Sequence, residues 1–345
     1  MGQNGTLRIA VVGAGRWGQH VVRNFASARR CALQWICDRN EQVLERMRRS
    51  YPAVRMTTDF DELLNDQTLQ AVAIVTDAAA HVPLTRQALE AGKHVYCEKP
   101  LAMTTADAAV LAELADRRQQ CLMVGHLLEY HPSVQYLRQM IRDGRLGRVY
   151  YLYSQRLNLG VVRQDQNAWW SLAPHDISAI CYLFEAEPVS VAASGRCFLQ
   201  PKIEDVVFAT LSFADGRLAN IHVSWLDPHK IRKMTVVGTE RMVSFDDMAA
   251  AEKIRIYDKS ACYDPRVGNF AEAISLRTGD VLIPKVDLTE PLRIECQHFV
   301  DAVLDGRAVR SDARDGLRVV RVLEAGSESL RCGGQPIAVK PDPKL

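Results

Sequence analysis

The sequence predicts an α/β N-terminal domain with a doubly wound parallel sheet, followed by an α+β domain with a large, mostly antiparallel open sheet. Three observations support this prediction. A glycine-rich turn, GAGRWG, directly follows a short apolar run near the start of the chain. Strand-like and helix-like segments then alternate to residue 124, as in βαβ units. From Arg148 onward, strand-like runs dominate and several are joined by turn signals, as in antiparallel sheets. We therefore predict domains at residues 1–124 and 125–345.

The composition of the chain indicates where the protein is located and which partners it does not bind. The 345 residues include 43 basic and 41 acidic side chains, so charge gives no support to nucleic-acid binding. Nine cysteines are scattered without a CxxC pair, which is typical of a reducing compartment. The polar start runs directly into a strand, and no apolar run is long enough to cross a bilayer. We expect a cytoplasmic protein that binds neither nucleic acid nor a membrane, and no metal, because no His/Cys cluster completes a ligand set.

The glycine-rich turn lies between the strand-like run Leu7–Val12 and an amphipathic, helix-like segment. Each glycine has a physical role in such a turn. Gly13 is predicted to make the tight turn, Gly15 to let the backbone approach a pyrophosphate, and Gly18 to let the helix pack on its strand. The free N–H groups at the start of the helix attract an anion. The turn therefore predicts a dinucleotide-binding Rossmann domain.

An acidic residue at the end of the second strand bears on the choice of cofactor. Asp38 follows the run 33–37 and can accept hydrogen bonds from the adenosine ribose hydroxyls, which favours NAD and repels a 2′-phosphate. Arg39 can instead stack on adenine or pair with a 2′-phosphate, so NADP remains an alternative. The further cofactor contacts that we predict are Arg16, Trp17, Thr76, His81, Glu98 and Lys99. For His81, a polar residue just ahead of a helix is an equally good interpretation.

A lysine follows the strand-like run 94–97 in the turn Glu98-Lys99-Pro100. Pro100 blocks helix continuation and holds Lys99 in extended geometry. The lysine therefore lies at the carboxyl end of a strand, where open α/β sheets bind their ligands. The alternative for this stretch taken alone is a solvated surface lysine.

A histidine in the second domain has the features of a general base. Pro174 suits the first position of a helix, since apolar residues follow it with helical spacing. His175 would then lie in the first turn, where the helix dipole keeps an imidazole neutral, as a general base requires near pH 7. Asp176 has a simpler interpretation, because an acid in the first turn stabilises any helix. At the junction of the predicted domains, His126 and Tyr130 are expected to line the substrate cleft.

Four of these segments together resemble one known family of enzymes. GAGRWG, CDRN, Glu98-Lys99-Pro100 and Pro174-His175-Asp176 are similar to the glucose–fructose oxidoreductase/inositol dehydrogenase (Gfo/Idh/MocA) family of NAD(P)-dependent oxidoreductases. In that family the turn lysine and a histidine of the second domain flank the nicotinamide and the reacting sugar carbon. The resemblance implies these catalytic roles for Lys99 and His175. The family often has an aspartate four residues before the histidine, where this chain has Ser171, which cannot supply the same negative charge.

Later segments resemble members of the family that oxidise nucleotide sugars at the 3-hydroxyl, including UDP-N-acetylglucosamine 3-dehydrogenases. These segments are WLDPHKIRK at 225–233, SFDD at 244–247, IP at 283–284 and EPL at 290–292. The resemblance implies a 3-keto sugar product and a homodimer or homotetramer. Besides Lys99 and His175, the predicted substrate contacts are His126, Tyr130, Arg156, Asn158, Arg163, Ser171, Lys230 and Arg232, of which the basic ones can meet a sugar diphosphate.

Two alternatives to a nucleotide-sugar dehydrogenase remain open at this point. Short basic clusters are often solvated faces, and an inositol or free-sugar dehydrogenase of the same family would not require them. A binding or regulatory protein can also retain the dinucleotide fold without turnover, since fold does not imply function.

Overall fold

The computed structural model describes residues 5–263 and 274–340. Contacts between Cα atoms divide the chain into two compact units. The first unit combines residues 1–130 with 289–321, and the second combines residues 131–288 with 322–345. The late segment 289–321, which the sequence analysis placed in the second domain, belongs to the first unit in the structure.

The first unit is built on a six-stranded sheet in the order β3-β2-β1-β4-β5-β6, and every neighbouring pair is parallel. The strands are β1 (Leu7–Val12), β2 (Cys31–Cys37), β3 (Arg55–Thr57), β4 (Ala71–Ile74), β5 (His94–Cys97) and β6 (Leu122–Val124). The helices between them are α1 (Gly18–Ser27), α2 (Glu41–Ser50), α3 (Phe60–Asn65), α4 (His81–Glu90) and α5 (Thr105–Arg118). Because the strand order reverses between β1 and β4, their carboxyl ends flank the point at which such sheets bind ligands. The predicted doubly wound parallel sheet is confirmed.

The second unit is built on a nine-stranded sheet in the order β14-β13-β12-β11-β7-β10-β9-β8-β15. Its strands are β7 (Val149–Leu157), β8 (Pro188–Arg196), β9 (Val206–Phe213), β10 (Leu218–Ser224), β11 (Ile231–Gly238), β12 (Met242–Asp246), β13 (Ile254–Tyr263), β14 (Ile274–Leu282) and β15 (Ile337–Ala338). Neighbours are antiparallel except for β7 and β10, which are parallel. This confirms the predicted large, mostly antiparallel sheet. Its helices include α6 (Pro132–Arg142) and α7 (Ala168–Phe184).

Helix α7 starts six residues earlier than predicted, at Ala168 instead of Pro174. Asn167 caps it, because its side-chain oxygen accepts a hydrogen bond from the Trp170 N–H at 3.0 Å. Pro174 therefore lies inside the helix, where the Trp170 carbonyl lacks the N–H that another residue at 174 would donate. The prediction that His175 occupies a first helical turn was wrong. The argument that the helix dipole keeps the His175 imidazole neutral no longer applies, because that effect is confined to the first turn of a helix.

Two further helices follow in the late part of the chain, α8 (Pro291–Asp305) and α9 (Ala313–Arg331). The buried face of α8 carries Leu292, Cys296, Phe299 and Val300, which join the same apolar cluster as β1. The ring of Phe299 meets Tyr96 edge to face, with centroids 6.1 Å apart. Helix α8 therefore completes the core of the first unit. Among the described residues, no helix combines the length and the apolar character that crossing a membrane requires.

Candidate active site

The glycine-rich loop joins β1 to α1 at the carboxyl edge of the first sheet. Gly13 has φ +88°, and a Cβ there would lie 2.6 Å from the Val75 carbonyl oxygen. A Cβ on Gly18 would lie 1.9 Å from the carbonyl oxygen of Gly13, so these two glycines are required by the fold itself. A Cβ on Gly15 would meet no atom of the described residues within 4 Å. The space above Gly15 is therefore open to an incoming group, as a pyrophosphate would need.

Asp38 is fixed against this loop. Its Oδ2 accepts a hydrogen bond from the Ala14 N–H at 2.7 Å, and its Oδ1 accepts one from the Asn40 N–H at 2.9 Å. Each carboxylate oxygen has a second lone pair, so the group can still accept bonds from a diol. The side chains of Arg16 and Arg39 are exposed. The loop and its acidic neighbour thus fit a dinucleotide that carries free ribose hydroxyls.

His81 joins the end of β4 to the turn that carries Lys99. It is 1% exposed, with its Nδ1 2.7 Å from the Pro100 carbonyl oxygen and its Nε2 3.1 Å from that of Thr76. Both ring nitrogens can donate only when the ring is protonated. Burial works against the charge, but Cys97 and the two carbonyl groups raise the pKa of His81 to about 9. The side chain therefore stabilises two strand ends, and its contact with a cofactor stays a prediction.

Glu98 connects the glycine-rich loop with the Lys99 turn. Its Oε1 accepts hydrogen bonds from Trp17 Nε1 at 2.6 Å and from the Tyr96 hydroxyl at 3.3 Å. Its Oε2 accepts one from the Lys99 backbone N–H at 3.3 Å. Glu98 is 7% exposed, Lys99 is partly buried and Trp17 is 42% exposed. The Lys99–Pro100 peptide is cis.

His126 and Tyr130 lie inside the first unit. The Nδ1 of His126 is 2.6 Å from Asp315 Oδ2 and 3.5 Å from Glu129 Oε1. These three side chains could in principle surround a cation. Burial disfavours a charged ring, but the hydrogen bonds to Asp315 and Glu129 raise the pKa of His126 to about 10, so Nδ1 carries a proton instead of a free lone pair. The Tyr130 hydroxyl lies 3.0 Å from Ser311 Oγ. Substrate contact by His126 and Tyr130 stays a prediction, and both side chains are buried.

In the second unit, His175 is partly buried and its neighbour Asp176 is held by an ion pair. Arg156 Nε donates to Asp176 Oδ2 at 2.7 Å, and the two side chains are 9% and 3% exposed. Arg156 lies on β7 beneath α7, so the pair attaches the His175 turn to the sheet. An uncompensated charge at either position would be costly, and each neutralises the other.

The remaining predicted substrate contacts of the second unit differ in how they are paired. Arg232 lies on β11 directly opposite Arg156, and its guanidinium is 3.8 Å from Asp247 Oδ2. Arg163 makes two 2.9 Å hydrogen bonds to Asp165. Lys230 is exposed, whereas Asn158 and Ser171 are partly buried. Arg232 is thus the least tightly paired of the three arginines.

Sequence reasoning missed the role of Glu295. Its Oε2 lies 3.1 Å from the Tyr96 hydroxyl, and the residue is 1% exposed. It stands on the apolar face of α8 beside Leu292 and Phe299, and an acid on a buried helix face is a signal that the sequence does contain.

Two family models match the chain. One, described as an oxidoreductase family with an NAD-binding Rossmann fold, matches residues 7–126. The other, described as the GFO/IDH/MocA C-terminal domain, matches residues 134–244.

Known proteins resemble the chain over nearly its whole length. UDP-N-acetylglucosamine 3-dehydrogenase of Acidithiobacillus ferrooxidans is 29% identical, covering 91% of this chain and 94% of that protein. The scyllo-inositol 2-dehydrogenase (NAD(+)) of Bacillus subtilis is 24% identical, covering 96% of each. The solved structure of the Acidithiobacillus ferrooxidans dehydrogenase superposes with a TM-score of 0.80 at 25% identity, covering 96% of this chain and 99% of the other. GenD2 from gentamicin A biosynthesis, solved in complex with NAD, gives a TM-score of 0.82 at 26% identity, covering 98% and 97%.

Proposed function

Because this chain belongs to the Gfo/Idh/MocA family of NAD-binding oxidoreductases, we propose that it oxidises the 3-hydroxyl of a nucleotide sugar to a ketone. The substrate that we propose is UDP-N-acetylglucosamine or a close relative, with NAD as the oxidant. The observation that carries this choice is the similarity to UDP-N-acetylglucosamine 3-dehydrogenase, which extends over 91% of the chain. The proposed location is the cytoplasm, and the proposed assembly is a homodimer or homotetramer.

The arginines of the second unit support a phosphate-bearing substrate. Like charges directly opposite each other on neighbouring strands are destabilising, and Arg156 faces Arg232 in this way. Asp176 neutralises Arg156 at 2.7 Å, whereas the contact of Arg232 with Asp247 is longer, at 3.8 Å. A diphosphate near Arg232 would relieve the repulsion and accept charge-assisted hydrogen bonds.

The chain's own residues bind, orient and move a proton in the proposed reaction. The loop from Gly13 to Gly18 and the carboxylate of Asp38 would hold the dinucleotide, which supplies the hydride acceptor when bound. His175 would accept the proton of the substrate 3-hydroxyl as a general base. The Lys99 ammonium would hydrogen-bond the same oxygen and stabilise its developing negative charge.

The first experiment measures reduced-nicotinamide absorbance with NAD or NADP, against UDP-sugars and matched phosphate-free polyols. A ketone trap is included so that an unfavourable equilibrium does not hide turnover. We expect signal with UDP-N-acetylglucosamine and NAD, and signal with polyols alone would overturn the nucleotide-sugar proposal. Arg232→Ala should then raise the KM for the UDP-sugar by roughly 10-fold or more with little change in kcat. The matched control is Arg307→Ala, because Arg307 is also in a long ion pair, 3.6 Å from Asp305, and its side chain is 74% exposed.

Loss of either proposed catalytic group should abolish most turnover without unfolding the protein. We expect Lys99→Ala and His175→Ala each to lower kcat by roughly 10²–10⁴-fold, because each removes a group that acts on the reacting oxygen. NAD affinity and thermal unfolding serve as checks on the fold. The control is His229→Ala, whose side chain is 79% exposed. Near-normal turnover in either variant would contradict the assignment of that residue.

An inositol or free sugar is the second candidate substrate. Two of the basic residues that could meet a diphosphate already have close acidic partners, Arg156 with Asp176 and Arg163 with Asp165. The relatives also include inositol dehydrogenases, such as the scyllo-inositol enzyme of Bacillus subtilis. Activity with a polyol that is unaffected by Arg232→Ala would favour this candidate.

A further inference from the structure

We propose that Glu98 is a positioning residue that mechanically links the glycine-rich loop to the turn of Lys99, so that the loop sets the orientation of the lysine. The inference rests on the role proposed above for Lys99 in catalysis. It assigns Glu98 and Trp17 to this link instead of to direct contact with the cofactor.

The geometry places one buried carboxylate between the two functional segments. Trp17 immediately precedes α1 on the glycine-rich loop, and its Nε1 donates to Glu98 Oε1 at 2.6 Å. The other oxygen of the same carboxylate accepts from the backbone N–H of Lys99 at 3.3 Å. One planar carboxylate thus accepts hydrogen bonds from the loop on one side and from the lysine's own backbone on the other. A movement of the loop would therefore rotate the carboxylate and shift the Lys99 backbone.

The packing around Glu98 leaves it little freedom to turn. A Cβ on Gly125, just after β6, would lie 2.8 Å from the Tyr96 hydroxyl and 3.1 Å from Glu98 Cδ. A methyl group at this position would therefore require the Tyr96 hydroxyl or the Glu98 carboxylate to shift. The Tyr96 hydroxyl adds a contact to Glu98 Oε1 at 3.3 Å, and Tyr96 itself is fully buried between aromatic rings of α1 and α8. The carboxylate is held from the side of the core as well as from the loop.

Glu295 explains how Tyr96 can donate to Glu98. The tyrosine has one proton but lies within hydrogen-bond distance of both carboxyl groups. Burial and then the charge of Glu98 raise the pKa of Glu295 well above its usual range, which favours the protonated form of this carboxyl group. A neutral Glu295 can donate to the Tyr96 oxygen, which frees the tyrosine proton for Glu98. The order of donors then runs from Glu295 through Tyr96 to Glu98, whose other oxygen accepts from the Lys99 N–H.

Trp17 is the residue through which the conformation of the loop affects Glu98. The residue is 42% exposed although its indole nitrogen donates to a buried carboxylate, so Trp17 joins the surface of the loop to the interior of the first unit. A group that orders the loop thereby orders Trp17, Glu98 and the Lys99 backbone together. Pre-organisation of this kind affects the rate of the chemical step more than the affinity for the cofactor.

The test uses Trp17→Phe and Glu98→Gln in the full chain. Trp17→Phe removes the indole donor and keeps a ring, while Glu98→Gln keeps the shape and places an amide group against the Lys99 N–H. The matched control is Trp35→Phe, because Trp35 Nε1 also donates to an acid of the first unit, Asp66 at 2.9 Å, away from the loop. Two quantities are measured in each protein: the hydride-transfer rate in a single turnover, and the dissociation constant for NAD.

We expect both variants to lose roughly 10- to 100-fold in the rate at saturating NAD, with the dissociation constant changed by less than about threefold. The double variant should lose no more than the larger single loss, since both changes break one link. Trp35→Phe should behave as wild type. A weaker NAD affinity with an unchanged rate would overturn the proposal and make both residues cofactor contacts.

A second readout does not require a sugar substrate. Lysines are dimethylated with ¹³C, and the Lys99 resonance is assigned by its loss in Lys99→Arg. We expect its chemical shift and titration to change in Trp17→Phe and Glu98→Gln but not in Trp35→Phe. An unchanged Lys99 resonance in Trp17→Phe would overturn the link even if Glu98→Gln failed to fold. If no sugar is oxidised but the resonance responds as expected, the proposed substrate fails and the link stands.

Discussion

The His126 imidazole lies between two buried carboxyl groups and illustrates how strongly single residues of this fold are coupled. Burial opposes its charge, yet Asp315 at 2.6 Å and Glu129 at 3.5 Å raise its pKa to about 10. Burial and the neighbouring Asp315 raise the pKa of Glu129 to about 8. In the unfolded chain the imidazole titrates near 6.5. Folding therefore takes up a proton at His126 over a wide pH range.

This proton uptake predicts a loss of stability in alkaline solution. A group whose pKa is raised by folding stabilises fully below its unfolded pKa and loses that contribution as pH rises through the folded pKa. For His126 the window runs from about 6.5 to about 10, and its part above pH 8 lies beyond the window of Glu129. We expect the free energy of unfolding to fall between pH 8 and 10 more steeply in wild type than in His126→Gln. Urea unfolding at several pH values measures this.

The control for this comparison is His229→Gln, because the His229 side chain is 79% exposed. At pH 7, His126→Gln should itself cost roughly 3–5 kcal/mol, as expected when one partner of a buried ion pair is removed. Equal pH slopes in wild type and His126→Gln would show that the imidazole is not charged in the folded protein.

At the scale of elements, the glycine-rich loop separates what the fold requires from what a ligand requires. Gly18 cannot carry a Cβ, which would lie 1.9 Å from the Gly13 carbonyl oxygen. Gly15 has no such neighbour within 4 Å among the described residues. The sequence motif does not distinguish these two glycines, whereas the structure shows that, of the two, only Gly18 is closely surrounded by other atoms.

Alanine substitutions should therefore have opposite signatures at the two positions. Gly18→Ala should destabilise the protein by at least about 1–3 kcal/mol, since backbone must shift to admit the methyl group. Gly15→Ala should leave the melting temperature near that of wild type but weaken NAD binding by about tenfold or more, because its methyl group would occupy the approach to the pyrophosphate. Thermal unfolding and NAD titration check both. A lowered melting temperature with intact NAD binding in Gly15→Ala would contradict this assignment.

The elements that the sequence predicted well are those with a strong local signal. The buried run Leu7–Val12, the glycine turn and the Pro-stopped strand before Lys99 are all in place. The predicted start of α7 was wrong. Both Pro174 and Asn167 are helix start signals, and the prediction used Pro174, whereas the helix begins after the Asn167 cap. Every residue of β14 is exposed, so this strand lacks the buried apolar face on which sequence patterns depend.

At the scale of the whole molecule, the chain returns to its first unit after completing most of the second. The Glu98–Tyr96–Glu295 cluster and the His126–Asp315 pair both join residues that lie about 190–200 positions apart. Periodicity and motifs report on neighbours in sequence, so neither cluster could be predicted from them. The division of the chain at residues 289 and 321 was missed for the same reason.

This return predicts that a change late in the chain should impair a site encoded at its start. Phe299 is fully buried in the core formed with β1 and α1, so Phe299→Ala should cost roughly 3–5 kcal/mol and weaken NAD binding. Leu288→Ala, at a position 54% exposed, is the control. Melting temperature and NAD affinity measure the effect. Unchanged values in Phe299→Ala would show that α8 is dispensable to the first unit.

Pro174 has a consequence for the evolution of this chain. A proline inside a helix forfeits one backbone hydrogen bond and crowds the preceding turn, at a cost of about 3 kcal/mol or more. Alanine at this position would recover that stability in a single substitution, yet the proline stands one residue before His175. A destabilising residue is retained here beside a proposed catalytic group. This is expected where selection for turnover outweighs selection for thermal stability. We therefore expect a homologue or designed variant with alanine at this position to be more thermostable and to turn over its substrate more slowly.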